Sequence, residues 1–216
     1  MAPQIEESAL RYDRSTLVSQ APALMEYLAQ ALQSQSVLPE REARTTLDLA
    51  LARQAAVLVP LYADGDLPRL LFTRRSANLA AHRGEISFPG GSRDPGDPSL
   101  IATALREAHE EIGLDLTQTR VLGQLPPEFA AVSNFIITPV IGWLGSAPLA
   151  LDPNPSEVAE VIDAPLAALV DPVIYHAETW VRGGESHLIH FYDFGPHRIW
   201  GVTGRILHQV LALLPD

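Results

Sequence analysis

Arg106-Glu107-Ala108-His109-Glu110-Glu111-Ile112-Gly113-Leu114 places three glutamates at spacings of three and four residues, just ahead of a glycine. Upstream, Asp97-Pro98 reads as a carboxylate N-cap followed by proline at the first helical position, which predicts a helix over about residues 98–112. Gly113 supplies the stop. Ile101, Ala104, Leu105, Ala108 and Ile112 mark one apolar stripe of that helix, and Glu107, Glu110 and Glu111 fall on the other side. Each like-charge pair on a helix is unfavourable by a few tenths of a kcal/mol. The helix dipole adds to this, because the glutamates lie near the C-terminal end. A bound cation relieves both, and oxygen donors alone suit Mg²⁺ or Mn²⁺ rather than zinc. A solvated acidic face is the plain alternative.

Outward from this helix, the chain alternates strands and helices. Ala55–Tyr62 is a continuous apolar run of the kind buried strands have, and Arg69–Arg74 is its hairpin partner across Ala63-Asp64-Gly65-Asp66. A short extended piece, residues 85–88, ends at Pro89-Gly90-Gly91. Further strands are expected at residues 120–125, 135–144, 158–162, 173–181 and 188–194, the last two joined by a hairpin at Arg182-Gly183-Gly184-Glu185. A closing helix is expected over 202–214. Residues 15 to about 53 read as helical with a break near Val37-Leu38-Pro39, on the spacing of Leu17, Leu24, Leu28 and Leu32 and of Ala43, Leu47, Ala50 and Leu51. Strands interleaved with a few helices indicate an α/β fold, a mixed sheet covered by helices.

The 216 residues are 47% hydrophobic, enough for a sizeable core, with no run long enough to span a membrane. The formal charge of −11 argues against nucleic acid and anionic membranes as partners. It leaves clustered carboxylates with a metal as the way to hold an anionic substrate. The absence of cysteine excludes disulfides and thiolate chemistry. With an acidic N-terminus unlike a secretory signal, it suits a cytoplasmic protein.

Gly90-Gly91, the acidic loop and the stretch from Arg106 to Leu114 together resemble the Nudix box, whose second half, R-E-U-x-E-E-x-G-U, is matched throughout. The resemblance implies a Nudix fold, a mixed β-sheet sandwiched between helices, over residues 55–216, with residues 1–54 as a helical extension. It implies Glu107, Glu110 and Glu111 as ligands of Mg²⁺ or Mn²⁺. Arg106 would orient them, and Gly90-Gly91 would let the backbone approach phosphate. Glu110 or Glu157, from the loop Pro153-Asn154-Pro155-Ser156-Glu157, would take a proton from the attacking water. In the first half of the box, Asp97 stands where the general pattern has glutamate, and the gap to Arg106 is one residue longer. The coenzyme A pyrophosphatase branch shares that departure.

Residues 71–91 are similar to the coenzyme A signature of that branch, matching at Thr73, Arg75, Ser76, Gly84 and Phe88-Pro89-Gly90-Gly91. Ala80 stands where the branch has arginine, and Arg83 occupies a position usually small. Either Arg83 or Arg74 reaches the same phosphate, or coenzyme A recognition is weakened. Arg75, Ser76, His82, Arg83, Gly84, Gly90 and Gly91 are thus the candidate substrate-binding residues. Trp200 could stack on adenine, although an aromatic at a helix entry more often packs in the core. His176, His187 and His208 read as ordinary surface or turn residues. The resemblance implies an enzyme cleaving coenzyme A, or a derivative, to 3′,5′-ADP and 4′-phosphopantetheine. ADP-ribose, NADH or a diadenosine polyphosphate are the alternative small-molecule substrates. A non-catalytic nucleotide-sensing module is the alternative of another class, weakened because all three box glutamates remain. Residues 1–54 are open to capping the site or to a homodimer contact.

Overall fold

The computed structural model describes residues 13–34, 52–77, 84–182 and 184–215. The apolar run forms the interior of β1 (Arg53–Asp64), which turns at Gly65 into the antiparallel β2 (Leu67–Arg75). Its lack of polar alternation has a direct cause. Ala56, Leu58 and Tyr62 enter one hydrophobic cluster, and Val59 and Leu61 enter another, so both faces of the strand are covered. β3 (Ile86–Ser87) pairs with β2, and β4 (Gly90–Ser92) pairs antiparallel with β1, setting Gly91 opposite Ala56.

The acidic helix α3 (Leu100–Ile112) follows, then β5 (Arg120–Gln124), β6 (Glu128–Ala130) and β7 (Phe135–Ser146). β7 runs parallel to β1, and β8 (Val158–Pro165) lies antiparallel on β2, completing an eight-stranded mixed sheet among the described residues. After the short α4 (Leu166–Leu169), β9 (Tyr175–Arg182), β10 (Glu185–Phe194) and β11 (His197–Ile199) form a separate antiparallel sheet. The chain ends on α5 (Gly201–Ala212).

α3 packs Ala104, Ala108 and Ile112 on one face of the large sheet, against Ala56, Leu58, Leu71 and Val140. The other face is covered by α1 (Arg14–Ser19), α2 (Ala21–Ser34) and α5, through Leu17, Leu24, Leu28, Leu32, Ile206 and Leu207. The sheet is therefore sandwiched, and its apolar sides are satisfied from both directions. The N-terminal helix differs from expectation. It breaks at Gln20, whose backbone is extended, because Pro22 lacks the N–H that a continuing helix needs and would crowd the preceding turn. The expected break at Val37-Leu38-Pro39 and the stripe Ala43, Leu47, Ala50 and Leu51 lie outside the described residues.

Three short elements, β6, α4 and β11, have too few residues to show a periodicity in sequence. Trp200, expected in the core, is 40% exposed at the N-cap of α5, while Gly204 brings that helix so close to β10 that a Cβ would lie 2.5 Å from the His190 carbonyl. His208 is not an ordinary surface residue. Its ring stacks on His190 at 4.0 Å, and its Nδ1 meets the Tyr192 hydroxyl at 3.1 Å. Among the described residues no helix is long and apolar enough to cross a membrane.

Leu24 is 1% exposed at the centre of the cluster shared by α2 and the sheet. Leu24→Ala is expected to lower unfolding free energy by about 2–4 kcal/mol, read from urea denaturation. A loss below about 1 kcal/mol would mean that α2 adds little to the core.

Candidate active site

The helix start differs from the sequence expectation in a way that shapes the site. Ser99, not Asp97, is the N-cap of α3, its hydroxyl accepting from the Ala102 N–H. Asp97 is buried instead and accepts from the Thr103 hydroxyl at 2.9 Å, the Asp94 N–H at 2.9 Å, and Arg106 through Nε at 3.1 Å and Nη2 at 3.0 Å. The fork of Arg106 therefore closes on both oxygens of one carboxylate. That pairing holds Asp97 well below the usual carboxylate range and raises Arg106 further above its own.

Arg106 spends its remaining donors on the site. Nη2 reaches the Ser92 carbonyl at 3.1 Å, and Nη1 lies 3.0 Å from both Glu107 Oε1 and Glu110 Oε2. Glu107 and Glu110 are thus gathered on one guanidinium. Glu111, on the same side of the helix in sequence, does not join them: it turns under the glycine pair, where its Oε2 accepts from the Gly90 N–H at 3.1 Å and its Oε1 meets Arg75 Nη1 at 3.2 Å. Only 2% of Glu111 is exposed, whereas half of the Glu110 side chain is. Burial, aided by nearby Glu107 and Glu157 and opposed by Arg75 and the Gly90 N–H, raises Glu111 to about 7. Burial also raises Glu107, with Arg106 opposing.

Both glycines are dictated by close approach. A Cβ on Gly90 would lie 2.4 Å from the Ala56 carbonyl oxygen, and one on Gly91 would lie 2.5 Å from the Glu107 carboxylate. Gly113 ends α3 in the left-handed conformation, and Glu111 and Ile112 carbonyls accept from Asn154 and Asp152, which docks the 152–157 loop onto the helix end. Glu157 lies close enough to Glu107 and Glu111 to raise both, and its own Oε1 accepts from Asn154 at 3.2 Å. Its carbonyl accepts from the buried Ser76 N–H at 2.7 Å, while the Arg75 carbonyl accepts from Gly84, whose φ is +69°. Arg75, Ser76, Gly90 and Gly91 therefore adjoin the glutamates, while Gly84 lies on the far side of Arg75 and lines the cleft of Arg74. Ala80, His82 and Arg83 lie outside the described residues. Arg74 is held by Glu160 at 2.8 Å, in a separate cleft with His197, Arg198 and Trp200.

Among the described residues no three His, Asp or Glu side chains stand ready-made as a metal cage, because Arg106 and Arg75 occupy the carboxylates. The donor set nevertheless fits a hard divalent cation. Its members are carboxylate oxygens, they repel one another, and Gly91, lacking a Cβ, lets the Glu107 carboxylate pack directly against β4.

Residues 52–173 match the NUDIX domain, and the chain is 44% identical to the Nudix hydrolase NudL of Photorhabdus laumondii over 73% of its own length and 83% of the relative's. The chain belongs to the Nudix hydrolase family. It is also 42% identical to the mitochondrial coenzyme A diphosphatase of Mus musculus, over 80% of this chain and 83% of the relative. A solved MutT/nudix family protein from Enterococcus faecalis covers 99% of this chain and 75% of its own, at 18% identity and a TM-score of 0.48. Nudix hydrolases generally use divalent metal ions. The matched family region closes before β9, so the three-stranded sheet and α5 lie beyond it. The grip of Asp97 on Arg106 has no local signal in the sequence, since nine residues separate the two.

Glu111 generates a pH prediction for the metal-free Nudix domain. Its folded value, about 7, lies above the ordinary 4.5, so the folded chain holds this proton more tightly than the unfolded chain. Stability from this group is full below pH 4.5 and is lost as pH rises through 7. Glu111→Gln, measured with chelator present, is expected to melt several degrees above the parent at pH 8, the gain shrinking towards pH 5. An equal shift at both pH values would remove the buried-charge explanation.

Proposed function

We propose that the protein hydrolyses the diphosphate linkage of coenzyme A or its derivatives, releasing 3′,5′-ADP and 4′-phosphopantetheine. The observation that carries this reading is the 42% identity to a coenzyme A diphosphatase across most of both chains. The signature residues Arg75 and Ser76, hydrogen-bonded beside Glu111 and Glu157, support it.

Glu107, Glu110 and Glu111 would hold Mg²⁺ or Mn²⁺, which when bound neutralises the diphosphate and lowers the pKa of a coordinated water. The protein's own contribution is positional. Arg106, locked by Asp97, keeps Glu107 and Glu110 together before any cation arrives. Arg75 stands beside Glu111 with its guanidinium one-quarter exposed, in position to meet a phosphate oxygen when Glu111 turns to a cation. Gly90 and Gly91, without side chains, let the strand lie close against β1 and against the Glu107 carboxylate. Glu110, half exposed, or Glu157, near enough to raise Glu111, would accept the proton of the attacking water.

The test is product analysis by mass for coenzyme A, ADP-ribose, NADH and diadenosine polyphosphates, with Mg²⁺, with Mn²⁺ and with chelator. Coenzyme A is expected to be cleaved fastest, and chelator is expected to stop all cleavage. Glu110→Gln and Glu111→Gln should each reduce turnover by about a hundredfold or more without loss of fold. Coenzyme A cleaved no faster than the other substrates would remove the substrate assignment and leave the hydrolase standing. Near-parental activity in both variants would remove the proposed metal ligands.

A further inference from the structure

The chain has no lysine: all 15 of its basic residues are arginines, set against 26 acidic residues. In such a background most arginines find a carboxylate. Arg69, Arg74, Arg75, Arg106, Arg198 and Arg205 all do. Among the described residues Arg14, Arg53, Arg93 and Arg120 do not, and of these Arg53 and Arg93 stand together. Among the described residues, Arg53 stacks its guanidinium over the Phe135 ring at 4.1 Å and has no carboxylate within ion-pair distance. Arg93 donates to two neutral oxygens, Gln54 Oε1 at 2.9 Å and the Asp97 carbonyl at 3.2 Å. Both arginines are therefore held in place without being neutralised.

They line one cleft of about 510 Å³ together with Gln54, Ser92, Asp94 and Pro95. Asp94 is the one carboxylate on this wall; it is 65% exposed and lies 3.9 Å from Arg106 Nη2. Two guanidiniums thus face one weakly engaged carboxylate, in a protein that is acidic overall. The cleft adjoins the glutamate site through β4. The Ser92 carbonyl accepts from Arg106, and Gly91, its neighbour in β4, abuts the Glu107 carboxylate. Along an extended strand Gly91 and Arg93 are about 7 Å apart. Arg93 continues the β4 pairing, its N–H donating to the Gln54 carbonyl, so Arg93 and Gln54 flank the same strand end.

We infer that Arg53 and Arg93 bind a phosphomonoester that the substrate carries in addition to its diphosphate, the 3′-phosphate of the coenzyme A adenosine. This rests on the coenzyme A reading above. A planar guanidinium donates two parallel hydrogen bonds to a phosphate, and a dianion gains more from two unneutralised arginines than any neutral group could. In coenzyme A the 3′-phosphate and the 5′-diphosphate sit on one ribose, which matches a cleft that begins beside the diphosphate-facing glycines. The residues then act in specificity: they select for a 3′-phosphorylated nucleotide and contribute nothing to a substrate that lacks it.

The experiment compares kcat/KM for coenzyme A and dephospho-coenzyme A in the parent, Arg53→Ala and Arg93→Gln, the last keeping an amide donor for the Asp97 carbonyl. The parent is expected to prefer coenzyme A by about tenfold or more. Each variant should cut that preference severalfold, through a raised KM for coenzyme A with kcat held. Equal kcat/KM for the two substrates in the parent, or an equal loss on both in the variants, would overturn the assignment. If neither substrate is cleaved, the coenzyme A reading itself has failed. Calorimetric titration with 3′,5′-ADP and with AMP then reads the cleft separately: tighter binding of 3′,5′-ADP that is lost in Arg53→Ala supports it, and equal binding overturns it.

Discussion

The pairing of Arg106 with Asp97 is the contact on which the geometry of the site depends. A buried carboxylate is tolerable only when its lone pairs are met, and Asp97 is met by two backbone or hydroxyl donors and a guanidinium fork. The result is an arginine whose direction is fixed from behind. Its forward donors then fix Glu107, Glu110 and the carbonyl of Ser92. Loop, strand end and helix are joined through one side chain, so the acidic face is organised without requiring its charges to be balanced by solvent.

The large sheet gives this arrangement its rigidity. α3 presses small residues, Ala104 and Ala108, against the sheet, which brings its backbone close enough for Glu111 to reach the Gly90 N–H. On the reverse face the N-terminal and C-terminal helices cover the alternate residues of the same strands. A strand that is apolar on both sides has no tolerance for slipping by one residue, because every side chain would change face. The register that sets Gly91 opposite Ala56, and hence the close approach of the Glu107 carboxylate to β4, is enforced by packing on both sides.

Much of this was readable in the chain itself, for reasons that differ by residue. The α3 stripe, its Gly113 stop and the β1–β2 hairpin are local patterns with their own periodicities, and the structure bears them out. The exchange of Asp97 for Ser99 as helix cap was not readable, since either side chain can cap and the choice depends on where Arg106 lands two and a half turns later. The hydrogen bond from Ser76 to Glu157 requires β2 and β8 to pair across some eighty residues, which no local pattern encodes. Trp200 was misjudged because burial at a helix entry is decided by the neighbouring sheet, not by the residue type. The break at Gln20, by contrast, follows from Pro22 and was available from the sequence.

The parallel pairing of β1 with β7 has a bearing on how the molecule is made. Arg53 meets Phe135 and Leu61 meets Trp143, so the loop closed by this ladder contains α3 and both glycines. Contacts between such distant segments form late, after the entropy of closing a long loop has been overcome. Until then α3 can lean on β1 and β2 but not on Val140 and Leu144 of β7, which complete the apolar cluster beneath it. The packing under the acidic helix is therefore finished by the most distant pairing in the sheet, and the site gains its full rigidity only with the completed topology.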